Sequence, residues 1–294
     1  MREFRKTFPY LDISDLISWY SVFEGYPNLQ DLHGESNLLQ NIKSHILEKY
    51  QSLREDFRFS EDQTTQRDIE KLLRRVALGN RKSYSVLKND ISQIKSRDIY
   101  TTLYERGIIE KEHSREAPIE RRKGQPIKKE LRGYVIEDKI RFTRGFYRFW
   151  FTFVTPNTAL LEEGRIEEVL EKIARELDRY TSLTFEYLSN ELIHHQNSKE
   201  AIIESGSYWD RQIELDLLAK TERGVMIAGE CKWKNQKICK NTLNKLQKKC
   251  DTLPFKVESY LLFSRSGFSN ELKKSKDPKI RLYDLSDFER YFCD

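Results

Sequence analysis

At 294 residues the chain is too long for one ordinary domain, and with 38% hydrophobic and 12% aromatic positions it can build real cores despite being 34% charged. A net charge of +5 is too small to mark a nucleic-acid partner, so the placement of charge must carry that argument. No run of 18 apolar residues occurs, which argues against a membrane span, and "MREFRKTFPYLDISDLISWY" lacks the apolar core and cleavage site of a signal peptide.

Residues 1–60 read as a helical segment. "DISDLISWYSVFEGYPNLQDL" breaks at the Gly25-Tyr26-Pro27 turn, and "SNLLQNIKSHILEKYQSLREDF" places Leu38, Ile42, Ile46 and Leu47 on one helical face. The plain expectation is a pair of packing helices.

Residues 61–156 change character. "TQRDIEKLLRRVALGN" is an amphipathic helix stopped at Gly79-Asn80, "SYSVLKNDI" a second short helix and "SRDIYTTLYERGII" a third. "IIEKEHS" and "RGYVIEDK" then read as strands, and three helices with a hairpin form the winged-helix pattern. The expected wing, "IERRKGQPIKKELRGY", carries Arg121, Arg122, Lys123, Lys128, Lys129 and Arg132 against Glu120 and Glu130. Such a wing can lie along phosphates; the same residues can equally be a solvated tip, and winged helices also dock proteins. The aromatic run "RFTRGFYRFWFTFVTPN" could stack bases, but large aromatic side chains more often form core, and core is the expectation here.

Residues 157–294 read as one α/β domain in the order α-β-β-α-β-α-β, a mixed sheet with helices on both faces. The four cysteines, Cys231, Cys239, Cys250 and Cys293, form no C-x-x-C pair and no zinc-ligand spacing with histidine; free thiols in a reducing cytoplasm are expected.

The stretch "ELDLLAKTERGVMIAGECKWK" sets charges inside two hydrophobic strands. Side chains alternate across a strand, so Glu214 and Asp216 would share a face, as would Glu230 and Lys232. Burying uncompensated carboxylates together is costly, and a hard divalent cation would offset the repulsion. Asp216 followed by Glu230-Cys231-Lys232 resembles the PD-(D/E)xK nuclease superfamily. "LTFEYLSNELI" supplies Glu186 on the preceding helix. The literal Pro-Asp is absent, since Leu215 precedes Asp216.

More widely, "YSVFEGYPNL", "NLLQNI", "YTTLYERGIIEKE", "YVIEDKIRFTRGFYRFWFTFVTPN", "FEYLSNEL" and "IELDLLA…GECKWK" resemble the C-terminal half of archaeal-type AAA+ ATPases, a winged helix followed by a nuclease-like domain. No G-x-x-x-x-G-K-[ST] occurs, so no ATP hydrolysis is expected.

The resemblance implies a restriction-endonuclease-like α/β domain within an α+β chain, and a Mg²⁺- or Mn²⁺-dependent deoxyribonuclease. Asp216, Glu230 and the Cys231 carbonyl would bind metal, Lys232 would assist, and Glu186 would complete the catalytic set. Gln247 is a position type that some members use near the metal. Glu214 would support the carboxylates or pair with Arg211 or a lysine. Trp209 and Arg211 would touch substrate at the site mouth, or Trp209 would pack the hairpin edge. The partner implied is DNA; a homodimer would suit cutting of both strands, and no interface is legible. The alternative is an inactive DNA-binding or transcription-regulatory protein that keeps the fold.

Overall fold

The computed structural model describes residues 1–32, 37–79, 81, 91–116, 134–196 and 201–293. The expected second winged-helix helix, over residues 83–91, falls almost wholly outside the described residues, and all six basic wing positions, Arg121, Arg122, Lys123, Lys128, Lys129 and Arg132, fall outside them.

The N-terminal segment is helical, as expected. Helix α1 (Arg2–Thr7) leads to α2 (Ile13–Phe23), whose N-terminus is capped by the Asp12 carboxylate accepting from Asp15 N at 2.8 Å. The chain turns at Gly25, whose φ of +82° suits a residue without Cβ. Helix α3 (Leu38–Asn41) runs into a π-helical stretch over Ile42–Leu47 and then α4 (Tyr50–Arg54). Ile42, Ile46 and Leu47 are fully buried.

Helix α5 (Gln63–Ala77) is capped by Asp62 and buries Ile69, Leu72, Leu73 and Val76; α6 (Gln93–Glu105) is capped by Ser92. Strand β1 (Ile109–Glu112) pairs antiparallel with β2 (Lys139–Phe142), Ile109 opposite Phe142 and Glu112 opposite Lys139. The second strand therefore lies later than "RGYVIEDK" suggests. Val135 is 73% exposed, whereas Ile140 and Phe142 are buried, so "KIRF" is the segment that can turn apolar side chains inward.

The aromatic run is core. From the end of β2 it runs through α7 (Gly145–Phe149), a π-helical stretch over Trp150–Val154 and a 3₁₀ turn over Thr155–Asn157, and α8 (Thr158–Glu162) follows it. Phe146, Phe149, Trp150, Phe151 and Phe153 are buried, and Trp150 stacks on Phe57 with centroids 4.3 Å apart. Each such side chain contributes about 1.5–3 kcal/mol by leaving water.

A single helix of 31 residues, α9 (Ile166–Gln196), follows. The C-terminal part holds β3 (Ile202–Trp209), β4 (Glu214–Thr221), β5 (Met226–Lys232), α10 (Lys240–Cys250), β6 (Ser259–Ser264), α11 (Asn270–Lys273), β7 (Ile280–Asp284) and α12 (Leu285–Cys293). The sheet order is β3-β4-β5-β6-β7, antiparallel across the first three strands and parallel across the last three. The mixed sheet expected from sequence is present, with one strand more. β3 was not expected because Glu204, Gly206 and Ser207 interrupt its apolar pattern.

One face of the sheet joins a continuous core with α9, α12, the N-terminal helices and the aromatic run: Leu217, Ala219, Cys231 and Phe263 belong to it. The other face packs under α10 through Leu215, Leu218, Leu243, Leu246 and Leu262. The outer edge of β3 is covered by the segment after β1, where Arg115 N donates to Ser207 O and Ser114 Oγ engages both backbone groups of Trp209. Among the described residues no helix is long and apolar enough to cross a membrane.

Candidate active site at the parting of two strands

The site lies where β4 leaves β5. Their pairing runs from Lys220↔Met226 to Leu217↔Gly229, so Glu214, Leu215 and Asp216 extend past the last paired rung. Beyond it β5 stays bound to β6 as far as Lys232↔Ser264. The Cys231 N–H, left without a β4 carbonyl, donates to Asp216 Oδ2 at 2.8 Å. A carboxylate thus stands in for the missing strand, and its position is fixed by the ladder itself.

A bulge adds to this. Between Gly206↔Leu218 and Tyr208↔Leu215, one residue of β3 faces Asp216 and Leu217 of β4. Alternation breaks there: Leu215 packs under α10, while Leu217 packs in the core beneath α9. Simple period-two counting along β4 therefore does not describe this stretch.

Glu230 and Lys232 do share a face. Lys232 Nζ donates to Glu230 Oε1 at 2.5 Å, and Lys249 Nζ from α10 donates to Glu230 Oε2 at 3.2 Å. Glu230 is only 9% exposed, so the two ammonium groups supply the neutralisation that burial demands. Burial works against the charge on Lys232, but Glu230 and Asp216 outweigh it and hold its pKa above the ordinary value.

The other two acids are not neutralised so well. Burial, and then the charge of Glu230, pushes Asp216 up to about 6, against the opposing pull of Lys232 and the Cys231 N–H. Burial, and then the charge of Asp216, pushes Glu186 on α9 up to about 8, with Arg81 and Lys232 opposing. Near neutral pH the group therefore holds a proton that isolated carboxyls would have lost. The Cys231 thiol, fully buried on the α9 side, is pushed well above its ordinary value by burial first.

Glu214 stands apart and pairs with Lys139 of β2. Lys139 also lies over the Trp209 ring, 4.3 Å from its centroid, and the Trp209 indole N–H donates to Glu137 O at 2.8 Å. Trp209 is buried and packs the β3 edge. Arg211 lies over the Tyr134 ring at 4.2 Å. Gln247 borders a separate cavity of about 580 Å³ with Cys250, Pro254 and Tyr260, and the hydrogen bond that reaches Glu230 from α10 comes from Lys249.

Three cations at the site escaped sequence reading. Lys249 follows the buried Leu246 by three residues, so helical spacing alone sets it at the border of the packed face. Lys139 and Arg81 come from the hairpin region, far away in sequence. Arg81 pairs with Glu112 and donates to the Tyr187 hydroxyl at 3.0 Å, next to Glu186 in α9.

The donor set is chemically suited to a hard divalent cation: the carboxylates of Asp216 and Glu230 and the Cys231 carbonyl are all oxygen donors. The raised pKa values of Asp216 and Glu186 record crowded negative charge that a cation would relieve. Among the described residues no three His, Cys, Asp or Glu side chains are grouped closely enough to hold an ion. Glu230 is turned to its lysines, so it would have to exchange at least one of them to serve as a ligand.

No curated protein and no solved structure matches the chain. Residues 150–250, which span Glu186, Asp216, Glu230, Lys232 and Lys249, are similar to the family DUF234, described as archaeal and bacterial proteins of unknown function.

Proposed function

We propose that the chain is a metal-dependent DNA nuclease of the PD-(D/E)xK type, with a winged helix that helps hold DNA. The observation that supports this most is the parting of β4 and β5, which sets Asp216 against the Cys231 backbone beside the Glu230–Lys232 pair and near Glu186. Asp216, Glu230 and the Cys231 carbonyl would hold Mg²⁺ or Mn²⁺. Bound there, such an ion makes water more acidic and offsets charge on a phosphodiester.

The chain's own groups would do the rest. Lys232 keeps its ammonium charged and can donate to a phosphate oxygen where charge builds up. Glu186 holds its carboxyl proton near neutral pH and would release it on joining a cation. The pair β1–β2 and helices α5 and α6 would support the wing, whose lysines and arginines would lie along phosphates. Pairing of two copies would present two sites to two strands, and a cytoplasmic location suits the free thiols.

The test is cleavage of plasmid, linear and single-stranded DNA with Mg²⁺ or Mn²⁺ by wild type, Asp216→Ala and Lys232→Ala. Metal-dependent cutting that falls about 100-fold or more in both variants is expected, as for loss of a group that stabilises the transition state. Cutting that survives both would sink the assignment.

A second reading is an inactive DNA-binding or transcription-regulatory protein that keeps the fold. Its support is Glu230, already neutralised by Lys232 and Lys249 without any cation. That reading predicts no cleavage and DNA binding that is unchanged in both variants.

A further inference from the structure

Charge is distributed very unevenly along the chain. Residues 232–281 carry fourteen lysines and arginines against four acids, a net of +10, whereas the whole chain is +5, so the remainder is net negative by five. This excess does not sit in the wing. It covers the half of the sheet domain that begins at Lys232 of the candidate site and continues through α10.

The arrangement around α10 is specific. Lys245, Lys248 and Lys249 are three and four residues apart, hence neighbours along one side of the helix. Lys249 closes on Glu230 at the site, while Lys245 and Lys248 are exposed. Lys234 and Lys237 follow directly from Lys232 in the loop after β5 and are exposed as well. That loop is fixed rather than trailing: Ser266 Oγ donates to Lys234 O at 2.7 Å, and Ile238 N donates to Gly267 O at 2.9 Å. None of Lys234, Lys237, Lys245 and Lys248 forms an ion pair among the described residues, whereas Lys240 and Lys249 of the same helix pair with Glu271 and Glu230. Exposed ammonium groups held unpaired on ordered backbone, and continuous with a carboxylate–lysine site, are complementary to a chain of phosphates.

We propose that this lysine face, Lys234, Lys237, Lys245 and Lys248 leading to Lys249, is the principal surface for a nucleic-acid backbone and delivers it to the acidic cluster. The proposal takes its substrate class from the nuclease reading, but binding on this face requires no cleavage. Its contacts are to phosphate, so binding is insensitive to sequence and falls steeply with salt.

The experiment measures binding of a fluorescent 20-base-pair DNA duplex, and of the matching single strand, over a series of salt concentrations. Proteins compared are the full chain, a Lys234→Gln/Lys237→Gln/Lys245→Gln/Lys248→Gln variant, the same four changed to Arg, an Arg121→Gln/Arg122→Gln/Lys123→Gln wing variant, and Asp216→Ala. Thermal melting of each protein checks that it is folded. The expected result is at least a 10-fold loss of affinity in the glutamine variant of the lysine face, with the slope of log affinity against log salt reduced by about 0.7–0.9 for each lysine that contacts phosphate. The arginine variant should bind like wild type, and the wing variant should lose less than the lysine-face variant. Folded glutamine protein that binds both DNAs as tightly as wild type would overturn the proposal. So would a larger loss in the wing variant, or binding of wild type to phosphatidylserine vesicles but not to either DNA. Asp216→Ala that binds normally, in a protein that never cuts DNA, would defeat the nuclease reading and leave the lysine face standing.

Discussion

Two clusters of like residues show opposite ways of using the interior. The aromatic joint brings Phe57, Phe146, Phe149, Trp150, Phe151 and Phe153 together, and its rings meet edge-on, tilted or stacked with centroids 4.3–6.3 Å apart in the contacts among them. A polar group buried against it is satisfied too: the Tyr180 hydroxyl donates toward Ser21 O and Gly145 O at 3.0 and 2.9 Å. The site at the parting strands instead retains repulsion, with Asp216 and Glu186 both held at raised pKa by burial first, and then by the charge of Glu230 on Asp216 and of Asp216 on Glu186. The first cluster is arranged for stability. The second keeps an unfavourable ionisation that packing could have removed, which is where a local rule is broken for function.

The largest effect on stability should therefore come from the joint. Trp150→Ala removes the ring stacked on Phe57 and opens a cavity, and a loss of about 3–5 kcal/mol is expected. Urea unfolding measures it directly. Asp216→Asn in the same assay should leave the midpoint unchanged or raise it, because it removes a charge that burial disfavours. If Asp216→Asn destabilised the protein as much as Trp150→Ala, the contrast between the two clusters would be gone.

A smaller, pH-dependent effect separates the clusters further. Glu186 has a folded pKa of about 8 against an unfolded value near 4.5. A carboxyl with a raised folded pKa contributes stability fully below the unfolded value, and that stability is lost as pH rises through the folded value. Wild type should thus lose stability between about pH 5 and pH 8 relative to Glu186→Gln, by roughly 3–4 kcal/mol. Denaturation midpoints of the two proteins at pH 5 and pH 8 test this. A difference that stayed constant with pH would show that Glu186 is not held protonated in the fold.

How much of this was legible beforehand depended on the range of the interactions concerned. The burial of Phe146 to Phe153, the helix over 240–250 and the Glu230–Lys232 pairing follow from local spacing, and the structure shows each. Strand β3 was hidden because Gly206 and its polar neighbours blur a period of two, and its partner strand carries a bulge. Sequence alone puts the second hairpin strand too early because Val135 is as good a strand residue as Ile140, and only the pairing of Ile109 with Phe142 decides between them. Lys139 and Arg81 could not be read at all. They reach Glu214 and the neighbourhood of Glu186 from the hairpin region by tertiary packing, with no pattern in their own segments to announce it.

The finest test addresses the rung that positions Asp216. Gly229 is the last β5 residue paired to β4, opposite Leu217, and its backbone is not in the left-handed region. A Cβ there would stand 3.1 Å from Leu217 Cβ and 3.4 Å from Phe263 Cε2, closer than most such contacts, so the neighbours would have to give by a few tenths of an ångström. In Gly229→Ala, overpacking opposes a gain of about 0.4–1 kcal/mol from the stiffer unfolded chain, leaving a net loss of about 1 kcal/mol or less. The displacement falls on Leu217, whose neighbour Asp216 accepts from Cys231 N. The carboxyl titration of Asp216, followed by carbon NMR, should therefore move from about 6 toward the ordinary carboxylate range as β4 shifts and water enters. An unchanged Asp216 titration in a Gly229→Ala protein that has lost stability would mean that the carboxylate is held by its own contacts and not by the rung beneath it.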